Sequence, residues 1–134
     1  RTSAPALIED AHAAGSLVIG SFHDFDATPS DDQLAEVLAD MNYAGADVLK
    51  FACMATSATD AARVIGAQAW AREAYDRPVI GIAMGPSGAP TRLVGSALGC
   101  AATFATLPGS EGSAPGQFTI EQVRTVLDII EAQR

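Results

Sequence analysis

Chemistry first becomes legible at a lysine near the carboxyl end of an otherwise apolar stretch, Ala46-Asp47-Val48-Leu49-Lys50-Phe51-Ala52-Cys53. An ammonium group moved out of water loses hydration, which lowers its pKa and frees the amine to attack a carbonyl. On this stretch alone, an exposed strand-end lysine paired with a nearby carboxylate is the better fit. A second stretch, Val18-Ile19-Gly20-Ser21-Phe22-His23-Asp24-Phe25, changes the balance, because it brings an imidazole one βα unit earlier. If Lys50 condenses with a ketone, the iminium withdraws electrons and acidifies the neighbouring C–H. His23, an imidazole whose ordinary pKa is about 6.5, can take that proton and return it to a departing hydroxyl. Asp24 is adjacent to His23, so on a strand it points to the opposite face, and it reads as a structural residue that caps the next turn. Arg92 follows Gly85-Pro86-Ser87-Gly88. It can hold a carboxylate through two parallel hydrogen bonds, or sit in a surface ion pair at a helix start. The run Gly112-Ser113-Ala114-Pro115-Gly116-Gln117 offers a hydroxyl, an amide and backbone N–H groups. It suits a lid over a ligand or an ordinary turn before a helix. It lacks the spacing of a P-loop.

These side chains need a frame that aims them at one place. Residues 3–14 have a helical pattern ended by Gly15, with His12 near the helix end as a surface or dipole-facing residue. Residues 17–22 form a first strand. Ser30 then caps a helix whose opening acids suit its positive end, with Leu34, Val37, Leu38 and Met41 as its apolar stripe. The lysine strand follows Gly45. Ser57 or Thr59 caps a third helix running to about Tyr75, with Ala62, Ile65, Ala69 and Trp70 inward. Residues 78–84 are a third strand, a helix covers about 90–98, and residues 100–105 are a short fourth strand. Thr119 caps a last helix with Ile120, Val123, Val126, Leu127 and Ile130 on one face. Alternating strands and helices with short links mean α/β architecture: a parallel sheet with helices packed on it and right-handed crossovers. His23, Lys50, Met84 and Arg92 all fall at strand ends or just beyond, where such folds build their active face.

Composition bounds the rest. The 134 residues suffice for one domain with a core, and 49% hydrophobic against 18% charged residues describes a globular chain. No apolar run reaches the roughly 20 residues of a membrane helix. Sixteen acids against eight basic residues leave a net charge of −8, which disfavours nucleic acid as a partner. Cys53 and Cys100 lie in apolar surroundings without a CxxC or histidine-rich neighbour, so they read as reduced packing residues and not as a disulfide or metal pair. With no apolar leader behind Arg1, these features give a cytoplasmic expectation.

Several stretches, in this order and spacing, resemble one family. They are Ser21-Phe22-His23-Asp24-Phe25 with Thr28-Pro29, Gly45-Ala46-Asp47-Val48-Leu49-Lys50, Met84-Gly85 with Gly88 and Thr91-Arg92-Leu93, Ala102-Thr103-Phe104-Ala105, and Ser113-Ala114-Pro115-Gly116-Gln117. Together they are similar to type I 3-dehydroquinate dehydratase over roughly residues 15–130. The resemblance implies a (β/α)8 TIM barrel of the shikimate pathway, using a lysine Schiff base and syn loss of water from 3-dehydroquinate to give 3-dehydroshikimate, with no metal or cofactor. It implies that Lys50 forms the imine with the C3 ketone, and that His23 is base at C2 and acid for the C1 hydroxyl. It further implies that Arg92 binds the substrate carboxylate, that Ser113 and Gln117 lie on a closing loop, and that Met84 and Phe104 line the pocket. Thr91 stands where the family often has serine, and Ile82 where it commonly has methionine. Only the second half of such a barrel, strands five to eight, is matched. The expectation is therefore one domain over 1–134, about four βα units, which associates with its missing half or with a second copy as a homodimer. Another Schiff-base lyase of class I aldolase type shares the lysine strand but does not require His23. A non-catalytic half-barrel that assembles with a partner is the reading from another class.

Overall fold

A computed structural model describes residues 3–110, 112–114 and 116–133. The chain opens with α1 (Ala4–Ala13), followed by β1 (Ile19–Asp24), α2 (Asp31–Tyr43), β2 (Val48–Met54), α3 (Ala58–Ala74) and β3 (Val79–Met84). A short helix α4 (Thr91–Val94) runs into a 3-10 turn at Gly95–Leu98, and α5 (Ile120–Glu131) closes the chain. The three strands form one parallel sheet in the order β1-β2-β3.

Local chemistry explains where the helices begin. Ser30, Ser57 and Thr119 each accept a hydrogen bond from the backbone N–H three residues on, and the side-chain oxygens of Gln33, Asp60 and Gln122 each accept one from the cap residue's own backbone N–H. Each capping box satisfies orphan donors at both positions. Asp31 and Asp32 in the first turn of α2 complement its dipole.

Packing then decides which way each strand faces. Leu49, Phe51 and Cys53 of β2 are fully buried in the layer under α2 and α3, together with Leu34, Leu38, Val64, Val79 and Ala83. Burying each large apolar side chain is worth about 1.5–3 kcal/mol. Strand alternation turns Lys50, Ala52 and Met54 to the other face. There Ala52, Ile80, Ile82 and Met84 make a smaller cluster, with Cys100 and Ala114 laid over it.

Three expectations are corrected. Residues 100–105 do not join the sheet as a fourth strand. Ala101 donates one backbone bond to Val79 (2.9 Å), and then Thr103 Oγ1 bonds the Arg92 carbonyl (2.9 Å), drawing the segment toward α4. Among the described residues, the strand pairing beyond β3 is a single bridge, Thr106 with Thr119. An edge strand that pairs on one side only has half a ladder to hold it, and here the competing bonds win.

The inward stripe of α3 is Ala61, Val64, Gln68 and Ala71, so Trp70, placed in the core by its type, is 47% exposed. This helix is alanine-rich, with polar and charged residues scattered round it and no single apolar stripe, so its periodicity specifies the face weakly. Close approach decides: a Cβ on Gly81 would lie 2.7 Å from Phe51 and 2.9 Å from Gln68. The small face of α3 therefore goes down, and Trp70 stays at the flank, edge-on to Tyr75 at 5.9 Å. On α5 only Val123 is buried, and Ile120 is 41% exposed, because the helix packs mainly on the short α4.

His12 is held more firmly than a surface residue. Its Nε2 lies 2.8 Å from Asp47 Oδ2, and the same oxygen accepts from the Val18 N–H at 2.7 Å, clamping α1 to the start of the sheet. Among the described residues, no strand pairs with the outer edge of β1. Leu17 (81% exposed) and Ile19 (55% exposed) lie along it.

Candidate active site

The carboxyl ends of β1 and β2 bring the two expected chemical groups into contact. Lys50 Nζ is 2.8 Å from His23 Nε2 and donates to Ser21 Oγ at 3.0 Å. Register makes this possible: Ser21 pairs with Lys50, and His23 with Ala52, so Ser21, His23 and Lys50 share one sheet face. An ammonium has no acceptor, so in this contact the histidine nitrogen is the acceptor and the imidazole is neutral. Burial and the neighbouring Lys50 charge both hold the His23 pKa below its ordinary value. Burial, then the Arg92 charge, lower that of Lys50. Both shifts enlarge the neutral, nucleophilic and basic populations that the chemistry needs.

Arg92 is 4% exposed and sits at the back of the site. A tight loop after β3 delivers it. Gly85 takes φ +80°, and a Cβ on Gly88 would come within 2.5 Å of the Ala83 backbone, so only glycine lets the chain fold back here. Thr91 Oγ1 donates to the Gly88 carbonyl at 2.7 Å and secures the turn. Burial disfavours the guanidinium charge, which lowers the Arg92 pKa. A planar cation held in such a place is well suited to an incoming carboxylate.

One cavity of about 130 Å³ collects every expected site residue: His23, Lys50, Met84, Arg92, Phe104, Ser113 and Gln117. Phe104 lies 5.6 Å from Lys50 Nζ. Gln117 Oε1 accepts from the Ser113 N–H at 2.8 Å and its Nε2 donates to Ser113 Oγ at 3.0 Å, so the loop is tied across itself above the site. Pro115 of the same run lies outside the described residues. Asp24 does not orient His23. Its Oδ1 accepts from the Asp26 and Ala27 N–H groups, capping the turn as its strand position required. A larger cavity of about 620 Å³ lies between α2 and α3, where Arg63 meets Asp31. Its lining has no lysine, histidine or cysteine, so size does not mark the reactive centre here.

Two residues escaped the sequence reading. Phe25 stacks on His23, with ring centroids 5.8 Å apart and planes 9° from parallel, and lines the cavity. Ser21 holds the lysine. The signal was present as a period of two: Ser21, His23 and Phe25 alternate along β1 and the residue after it.

Residues 2–134 match the family described as type I 3-dehydroquinase. The chain belongs to this family. The 3-dehydroquinate dehydratase of Klebsiella pneumoniae is 42% identical over 93% of the chain, which covers 49% of that protein. That of Listeria welshimeri is 39% identical over 95% of the chain and 50% of its own length. Among solved structures, the 3-dehydroquinate dehydratase of Geobacillus kaustophilus superposes with a TM-score of 0.91 at 36% identity, over 96% of the chain and 49% of that protein. A type I 3-dehydroquinate dehydratase from Clostridium difficile, solved with covalently modified comenic acid, gives 0.88 at 31% identity. The type I 3-dehydroquinase chain described here thus spans about half the length of the relatives it matches. The neighbours are TIM barrels, and the three-stranded βα sheet is a section of one.

Proposed function

We propose that this chain is the C-terminal half, as a single domain, of a 3-dehydroquinate dehydratase. Its Lys50 carries the substrate as a Schiff base. The observation that carries the reading is the 2.8 Å contact of Lys50 Nζ with His23 Nε2 inside the cavity that Arg92 closes. Neutral Lys50 adds to the C3 carbonyl carbon, and the carbonyl electron pair moves to oxygen. Protonation and loss of that oxygen as water leave the iminium. His23 removes a proton from C2, and the C–H electrons pass into the enamine. The C1 hydroxyl then departs with the proton from the His23 imidazolium, leaving as water. Hydrolysis of the conjugated iminium releases 3-dehydroshikimate and restores Lys50. Arg92 takes the substrate carboxylate bidentately. Ser113 and Gln117 exchange part of their mutual bonding for bonds to the ligand. Met84 and Phe104 exclude water from one side.

The open edge of β1, with Leu17 and Ile19 exposed along it, supports association with another half-barrel: the complementary four βα units or a second copy. Ser21, His23 and Phe25 stay exposed on the same side. A mouth completed there would desolvate them further.

Borohydride reduction in the presence of 3-dehydroquinate tests the reading. A mass increment on the Lys50 peptide, absent from Lys50→Ala, is the expected result. Absorbance of the conjugated enone product separates dehydration from aldol cleavage. An adduct carried by Lys50→Ala, or no adduct on the parent chain joined to its complement, overturns the assignment.

A further inference from the structure

Ser21 touches the amine that the proposed chemistry uses, and nothing in that chemistry yet employs it. Its Oγ lies 3.0 Å from Lys50 Nζ, from the same sheet face as His23 and one register position before it. A neutral amine nitrogen has four tetrahedral directions. Cε occupies one, and N–H bonds to Ser21 Oγ and to His23 Nε2 occupy two more. The lone pair is left the fourth.

We infer that Ser21 is a positioning residue for Lys50: it holds one N–H so that the lone pair faces the cavity, and it keeps the nitrogen's proton after His23 has moved to the substrate carbon. This rests on the Schiff-base reading. An iminium nitrogen is planar and retains a single N–H. His23 cannot accept that proton and also abstract one from carbon, so a second acceptor is needed. A hydroxyl on the neighbouring strand supplies it without being a base of its own. The charged and titratable groups about Nζ are His23 from β1 and Arg92 from α4. Phe104, Ser113 and Gln117 complete the surroundings without charge.

Ser21 is exposed, so replacing it leaves the core intact. Competitive acetylation of Lys50 across pH, read on its peptide by mass spectrometry, needs no substrate. Ser21 stabilises the ammonium as an acceptor, so Ser21→Ala should lower the titration midpoint by about half to one pH unit. The same chain should form the borohydride-trapped 3-dehydroquinate adduct about tenfold more slowly, because the more abundant neutral amine is worse aimed. Ser21→Thr, which keeps the hydroxyl, should restore both. A simple loss of structure does not move these two readouts in opposite senses. Coincident titration curves, or trapping in Ser21→Ala as fast as in the parent, overturn the inference. A parent chain that gives no 3-dehydroquinate adduct even when joined to its complementary half sinks the dehydratase reading instead, while the acetylation curves still decide the role of Ser21.

Discussion

Replacing His23 with alanine should separate the two halves of the proposed reaction. Imine formation needs the Lys50 lone pair, which survives the change. Proton abstraction needs a base, and the other cavity-lining groups do not supply one: Lys50 is consumed as the imine, Arg92 stays charged, and Ser113 and Gln117 do not titrate near neutrality. A positioned acid or base contributes about 10²–10⁴ in rate. His23 is asked to serve twice, so a loss of about 10³ in turnover is expected, equivalent to about 4 kcal/mol of barrier. The assay uses the chain joined to its complementary half. Enone absorbance reports turnover, and intact mass after borohydride reports adduct. Turnover should collapse while adduct accumulates. In the parent, activity should rise with pH through the His23 pKa, which burial and Lys50 hold below 6.5, and that limb should vanish in the variant. Loss of adduct together with turnover would mean that His23 acts before the imine. Turnover at the parent rate would refute its role altogether.

Other outcomes test the frame around it. Arg92→Met keeps the buried volume and removes the bidentate cation. Substrate affinity should fall by about 1.5–3 kcal/mol, read by calorimetry with a substrate carboxylate analogue. Phe51→Ala empties the fully buried centre of the sheet and should cost about 3–5 kcal/mol in urea unfolding. Asp47 is held below its ordinary 3.8, first by the Val18 N–H and then by His12. Its contribution is present above the unfolded pKa and lost as pH falls through the folded one. Asp47→Asn should therefore flatten the pH dependence of the urea midpoint below about pH 4 and change little near neutrality.

Much of this molecule was legible in residue order alone. Cap residues such as Ser30, Ser57 and Thr119 act on their own neighbours, so helix starts follow from local hydrogen bonding. The parallel βα order followed from alternating periods, and with it the placing of Lys50 and His23 at one rim. Asp24 could be set aside because side chains alternate between faces along any extended strand. What residue order did not decide depended on distance between segments far apart. The face of α3 was chosen by how closely Gly81 lets the helix approach Phe51, and no periodicity in an alanine-rich helix encodes that. Residues 100–105 have strand-like composition, yet the bond of Thr103 to the Arg92 carbonyl draws them toward α4 and out of the sheet. The partnership of Ser21 with Lys50 needed the β1–β2 register, which is set by burying Leu49 and Phe51 beneath the helices. Local bonding is written in neighbouring residues, whereas register and close approach exist only once the strands and helices have packed.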